Sequence, residues 1–120
     1  MATPETWTDL MYFRPEEFTF PHEMDDVFLL TLDKARRYAH VPFVITDDYR
    51  QSDAEVGVSD SAHKKGKAVD IRARDSRTRF HVVSGLITAG FHRIGVYDKH
   101  VHVDSDDSKD SYVMWLGKSV

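Results

Sequence analysis

The chain has 120 residues, a net charge of −4 and a hydrophobic fraction of 41%. This length suits one domain with one core, and the composition is that of a globular protein rather than a disordered tail. The absence of cysteine excludes disulfides and thiolate metal sites, and acidic and basic residues are too evenly mixed to form a basic stripe for nucleic acid.

Residues 1–22 are expected to form an irregular arm that packs on the body of the domain, because they carry three of the four prolines and several aromatic residues. The first ten residues, "MATPETWTDL", contain neither a basic segment nor an apolar segment, so no signal peptide is expected. No apolar run approaches the ~20 residues that a membrane-spanning helix needs, so no membrane insertion is expected.

The next segment predicts a helix over about residues 23–39. After Pro42, "FVIT" (43–46) predicts a short buried strand. Residues 47–66 are polar and predict a long loop, a kind of segment that is often functional in compact domains. The apolar residues that recur at helical spacing are Met24, Val27, Phe28, Thr31, Leu32, Ala35, Tyr38 and Ala39.

The second half of the chain predicts one helix and four strands. "AVDIRA" (68–73) alternates as a strand does. Asp75 or Ser76 can cap a helix that ends at Gly90. This order favours an α+β fold with a central, mainly antiparallel β-sheet flanked by helices. The predicted buried residues of the helix are Phe80, Val83, Leu86 and Ile87, and the predicted later strands are 93–97, 100–104 and 112–116.

Two strands place polar side chains on one face. In "HVHVD" (100–104) the strand period of two puts His100 and His102 on the face opposite the valines. In "AVDIRA" (68–73) the same rule puts Asp70 on the face opposite Val69 and Ile71. If the two strands are neighbours, Asp70 and His102 share a polar face, and His63 can fold back over them from the preceding loop.

These residues form a candidate metal site. Three nitrogen or oxygen ligands with an open position for water are typical of catalytic zinc, although manganese or iron would also accept two histidines and one carboxylate. Gly66 would allow the turn between His63 and Asp70, and the small side chain of Ala68 would let the loop lie close to a metal ion.

The segments "SAHKKGKAVDI" (61–71) and "GVYDKHVHVD" (95–104) resemble the zinc D-Ala-D-Ala carboxypeptidases. This family of VanY-type metallopeptidases includes vancomycin-resistance dipeptidases and some phage endolysins, and shares an S-x-H-x-x-G-x-A-x-D segment. "FRPEEF" (13–18) and "FVITDDYRQ" (43–51) resemble its entry segment and its strand ending in an arginine loop. The resemblance covers most of the chain and implies a hedgehog-like fold and a single zinc peptidase domain over residues 1–120.

The resemblance also implies roles for individual residues. His63, Asp70 and His102 would hold Zn²⁺, Arg50 would bind the substrate's terminal carboxylate or its polarised carbonyl, and Ser61 would contact substrate beside the metal. A guanidinium matches a carboxylate with two parallel hydrogen bonds, which suits an enzyme that reads a free peptide C-terminus. Asp47 and Asp48 could orient Arg50 or could be turn residues.

The base that activates water is expected just before the last histidine. In the glutamate-bearing branch of the family it lies three residues earlier, but Lys99 occupies that position here and cannot serve. His100 lies on the correct strand face and belongs to a residue type that titrates near neutral pH, so it is the predicted base, with Asp98 as the alternative. His100 would take the proton of the water and later protonate the leaving amine.

The predicted substrate is the D-Ala-containing stem peptide of bacterial peptidoglycan, cut by a monomer that acts on the cell wall and is encoded by a phage or carried on a virion. Two alternatives stay open: an endopeptidase for the L-Ala-D-Glu bond, and a non-catalytic zinc-binding module of the same fold. "DSDDSKDSY" (104–112) fails as a calcium loop, since Lys109 replaces the required glycine and Trp115 the required glutamate. It is therefore expected to be a solvated acidic turn.

Overall fold

The computed structural model describes residues 1–50 and 61–117, so residues 51–60 of the predicted loop lie outside the described part. It contains helices α1 (Pro4–Asp9), α2 (Asp26–Ala39) and α3 (Ser76–Ala89). The strands are β1 (Ile45–Asp47), β2 (Ala68–Arg72), β3 (Arg93–Val96), β4 (His100–Asp104) and β5 (Val113–Leu116). The predicted α+β fold is confirmed.

The five strands form one sheet in the order β1-β2-β4-β3-β5. All neighbouring pairs are antiparallel except β3 and β5, which are parallel, so the sheet is mainly antiparallel as predicted. In the central pair, β2 and β4, Asp70 lies directly opposite His102 and Arg72 opposite His100. This register places Asp70 and His102 side by side on one face of the sheet.

The other face of the sheet builds the core. Val69 and Ile71 of β2 and Val101 and Val103 of β4 are fully buried, and α3 packs against β4 while α2 packs against α3. Alternation along β2 and β4 therefore gives the sheet an apolar face, on which the helices pack, and a polar face, on which the candidate site lies.

The predicted arm contains more regular structure than expected. Thr3 caps α1, its side chain accepting a hydrogen bond from the Thr6 backbone N–H, and Pro4 stands at the first turn where its missing N–H costs nothing. Trp7 and Phe18 pack edge to face at 5.3 Å between ring centroids. Trp7 is buried in the core by this packing.

Both long helices are present, but the start of α2 and parts of both buried faces differ from the prediction. Asp25 caps α2 and Asp75 caps α3, each through its side chain to a backbone N–H, and Gly90 ends α3 in the left-handed conformation. Val27 and Tyr38, two of the residues that recur at helical spacing in α2, are exposed. The N-terminal boundary of α2 also lies later than predicted, because residues 21–23 form a separate 3-10 turn.

In α3 the predicted buried face is wrong for two of its four members. Phe80 is 68% exposed and Ile87 52% exposed, whereas Val82, Gly85 and Leu86 are buried. Gly85 explains why a different face of α3 is buried, because a Cβ at this position would lie 2.6 Å from the Ala35 carbonyl oxygen of α2. The glycine lets the two helix backbones approach closely and turns its own side of α3 toward α2.

The first strand also departs from its prediction. β1 begins at Ile45 rather than at Phe43, and Val44 and Thr46 are exposed. Exposure alternates along residues 43–46, so the side chains of Val44 and Thr46 lie on the solvent face, and β1 pairs only with β2 at the edge of the sheet. Phe43, just before it, is buried in the core.

Candidate metal centre

Three side chains from separate elements converge on the polar face. His63 lies in a 3-10 turn (Ala62–Lys65), Asp70 in the middle of β2 and His102 in the middle of β4. One ligand atom from each lies within 4.8 Å of the other two, as required for a shared metal ion. The predicted grouping of these three residues is present in the structure.

The distances fit a small divalent ion. His63 Nε2 lies 3.5 Å and His102 Nδ1 3.0 Å from the same Asp70 oxygen, Oδ1. Tetrahedral zinc bonds of ~2.0–2.1 Å imply separations of ~3.3 Å between neighbouring ligand atoms. Both distances to Asp70 are therefore close to those of a tetrahedral zinc site.

His63 is held in the orientation that a metal ligand requires. Its Nδ1–H donates to the backbone carbonyl of Asp48 at 2.7 Å, which leaves the lone pair of Nε2 facing Asp70. The Ser61 hydroxyl accepts the His63 backbone N–H and so caps the turn, and Gly66 ends it at φ 70°. His63 is only 2% exposed, so this orientation is fixed by its surroundings.

Asp70 is ionised in this setting. Burial by itself raises the pKa of its carboxyl group, but the interactions with the neighbouring imidazoles of His102 and His63 outweigh burial and hold the pKa well below its usual range. An anionic oxygen between two imidazole nitrogens is a ligand set that fits a divalent cation. The residues present therefore fit the predicted metal.

His100 lies beside this group. Its Nε2 is 3.9 Å from the second Asp70 oxygen, Oδ2, and its ring stacks on Tyr97 at 4.3 Å with an angle of 12° between the planes. Asp98, the alternative base, is exposed in the turn between β3 and β4 and does not occur among the described residues that line the cleft. Its carbonyl accepts a hydrogen bond from Arg79, and Lys99 beside it is also exposed.

Arg50 and Ser61 line the same cleft as the three ligands. Arg50 Nε lies 3.1 Å from Asp47 Oδ2, and the Arg50 backbone N–H donates to the carbonyl of His63. Burial raises the pKa of Asp47, although the charge of Arg50 acts against this rise. Of the two candidate orienting residues, Asp47 contacts Arg50, whereas the Asp48 carboxylate accepts the backbone N–H groups of Thr19 and Phe20.

The cleft has a volume of about 280 Å³ and contains residues that the sequence patterns did not single out. Trp115 from β5 lies over His102 at 5.6 Å between ring centroids, and its indole N–H donates to the Tyr97 hydroxyl. Room for the indole comes from Gly95, where a Cβ would lie 2.5 Å from the indole nitrogen. Tyr49, next to Arg50 in the sequence, packs edge-on against Phe20.

The segment after β4 differs from its prediction as a solvated acidic turn. Asp104 and Asp106 are buried, and they pair with Arg93 at 2.7 Å and with Lys65 at 2.9 Å respectively. Counting charges within this segment could not show this, because neither cation belongs to it.

A ligand set of two histidines and one aspartate, with a further histidine and an arginine in the same cleft, is typical of a metal-dependent hydrolase. Residues 16–104 match the family model described as Peptidase M15, and the chain therefore belongs to this family of metal-dependent peptidases. Neither a comparison with curated proteins nor one with solved structures gives a significant match. The family match ends at Asp104, so β5 lies beyond it.

Proposed function

We propose that this peptidase is zinc-dependent and hydrolyses the D-Ala-containing stem peptides of peptidoglycan, as a D-Ala-D-Ala carboxypeptidase does. The observation that carries the proposal is the convergence of His63, Asp70 and His102 in a cleft that also contains His100 and Arg50. Such a substrate is found in the bacterial cell wall, and we place the action of the protein there.

Zinc is the proposed metal because the two imidazole nitrogens and one carboxylate oxygen match a catalytic zinc site that retains an open position. When bound, zinc supplies an acidified water molecule and polarises the scissile carbonyl group. Side chains in the cleft must then move protons and hold the peptide in place.

His100 is proposed to move the proton. Stacking on Tyr97 holds its ring, and Nε2 lies beside the ligand group, 3.9 Å from Asp70 Oδ2. A half-buried imidazole at this position can accept a proton from the attacking water and return one to the leaving amine. The exposed position of Asp98 outside the cleft supports His100 over Asp98.

Arg50 is proposed to hold the carboxylate at the end of the peptide. Its ion pair with Asp47 and the bond from its backbone N–H to the His63 carbonyl tie it to the turn that carries a metal ligand. A guanidinium held near the ligands can fix the terminal residue so that the preceding peptide bond lies at the metal site.

The test is digestion of purified peptidoglycan by the zinc-loaded protein, followed by mass spectrometry of the muropeptides. The expected products are stem peptides shortened by their terminal D-alanine. Cleavage between L-Ala and D-Glu would replace this proposal with the endopeptidase, and the absence of any cleavage by zinc-loaded protein would reject the enzyme and favour a zinc-binding module.

The control variants are His102→Ala and His22→Ala. His102→Ala should abolish both zinc binding and cleavage, because it removes a proposed ligand. His22→Ala removes an exposed histidine in a 3-10 turn outside the cleft and should leave both unchanged.

A further inference from the structure

The second ring nitrogen of His102 has its own partner. Nδ1 faces Asp70, while Nε2 lies 2.8 Å from Asp104 Oδ2. Asp104 stands two residues further along β4 and is only 3% exposed. A buried carboxylate that contacts the far side of a metal-binding imidazole can fix both the proton position and the orientation of the ring.

Asp104 is itself held firmly. Its other oxygen, Oδ1, accepts hydrogen bonds from Arg93 Nε at 2.7 Å and from the Asp106 backbone N–H at 3.1 Å. Arg93 is 8% exposed and also donates to the backbone carbonyl of Asp110. The carboxylate therefore has a partner on each oxygen and little freedom to rotate.

The indole of Trp115 covers this array. It lies against His102 and beneath the guanidinium of Arg93, whose carbon is 5.3 Å from the ring centroid. The missing side chain of Gly95 provides the space for it. Because Arg93 and Asp104 are buried, water is excluded from their charged hydrogen bond and the bond is strengthened.

We propose that Asp104, clamped by Arg93 and covered by Trp115, is a positioning residue that holds the proton of His102 on Nε2 and directs Nδ1 to the metal. This inference rests on the proposed metal site. It adds Arg93 of β3 and Trp115 of β5 to the residues that build the metal centre. Trp115 lies beyond residues 16–104, the part of the chain that matches the family model.

The central test is the zinc affinity of the full-length Asp104→Asn variant, measured by competition with a chromogenic chelator. Removing such a partner is expected to weaken zinc binding by about 10–100-fold. Arg93→Gln, which leaves Asp104 in place but removes its clamp, should weaken binding to a smaller extent. Unchanged affinity in Asp104→Asn would overturn the proposal.

Asp33→Asn is the matched control. Asp33 is also a buried carboxylate, but it accepts the backbone N–H groups of residues 11–13 away from the cleft. This variant should lower the unfolding midpoint and leave the zinc affinity unchanged. An equal loss of zinc affinity in both variants would show that general destabilisation, rather than positioning, is responsible.

A second measurement needs no variant at Asp104. In zinc-loaded wild-type protein, nitrogen-15 NMR should show His102 coordinated through Nδ1, with a slowly exchanging, downfield Nε2 proton. Coordination through Nε2 would overturn the proposal even if the protein binds zinc and cleaves peptides. If wild-type protein binds no zinc, the metal site and the positioning role are both rejected.

Discussion

The two histidines that face Asp70 obtain their orientation in different ways. His63 donates from Nδ1 to a backbone carbonyl, whereas Nε2 of His102 contacts a buried carboxylate. The spacing of "SAHKKGKAVDI" and the alternation of "HVHVD" were sufficient to predict that His63, Asp70 and His102 lie close together. The Asp48 carbonyl could not be predicted, because every residue has a carbonyl and only folding selects one.

His100→Ala tests the assignment of the base. The variant should retain zinc, since His100 is not among the three converging ligands, and should lose cleavage rate by about 10²–10⁴-fold, the range for a general base. Zinc content and the rate of D-alanine release are the measurements.

Two results would contradict this assignment. Full activity in His100→Ala would transfer the base role to Asp98, which Asp98→Ala would then confirm. Loss of zinc from His100→Ala would show that His100 supports metal binding rather than proton transfer.

At the scale of elements, the helices and strands were largely predictable and their contacts were less so. Caps and alternating strands are local features: Asp75 was one of two predicted caps of α3 and Gly90 its predicted end, whereas the Asp25 cap of α2 was not predicted. The buried face of α3 was partly missed, because a glycine contributes no hydrophobic signal although Gly85 is a point of closest approach between two helices.

Gly85→Ala tests this helix contact. In an exposed helix interior, alanine would stabilise by about 0.5–1 kcal/mol relative to glycine. Here its Cβ would lie 2.6 Å from both the Ala35 carbonyl oxygen and the Ala39 Cβ. The cost of such overpacking, about 1–3 kcal/mol, should exceed the gain.

Urea denaturation of Gly85→Ala should therefore show a lower free energy of unfolding than the wild type. The control is Thr88→Ala, an exposed position on the same helix, which should change stability by less than about 0.5 kcal/mol. A stabilised Gly85→Ala protein would contradict the close approach of α2 and α3.

At the scale of the whole molecule, the two faces of the sheet have different roles, one in forming the core and the other in forming the candidate site. Its apolar face carries α2 and α3, and its polar face carries the cleft with Asp70 and His102 on the two central strands. Another groove, of about 470 Å³ and lined mainly by apolar residues of the α3 end and β5, contains none of the predicted site residues. None of the helices in residues 1–50 and 61–117 is long and apolar enough to cross a membrane.

Contacts between distant segments account for what the sequence did not reveal at this scale. Trp115 reaches His102 because β5 pairs in parallel with β3, and this pairing depends on how the chain returns after β4. Arg93 and Asp104, by contrast, lie on the consecutive strands β3 and β4 and become partners through the register of that pairing. Such pairings arise from the packing of the complete sheet rather than from any local pattern.

The most direct test of the metal centre is zinc stoichiometry in Asp70→Asn beside Asp107→Asn, a matched change at an exposed aspartate outside the ligand group. Equilibrium dialysis followed by metal analysis should give one zinc ion per chain for the wild type and for Asp107→Asn, and none for Asp70→Asn. Wild-type zinc content and affinity in Asp70→Asn would contradict the assignment of His63, Asp70 and His102 as the metal ligands.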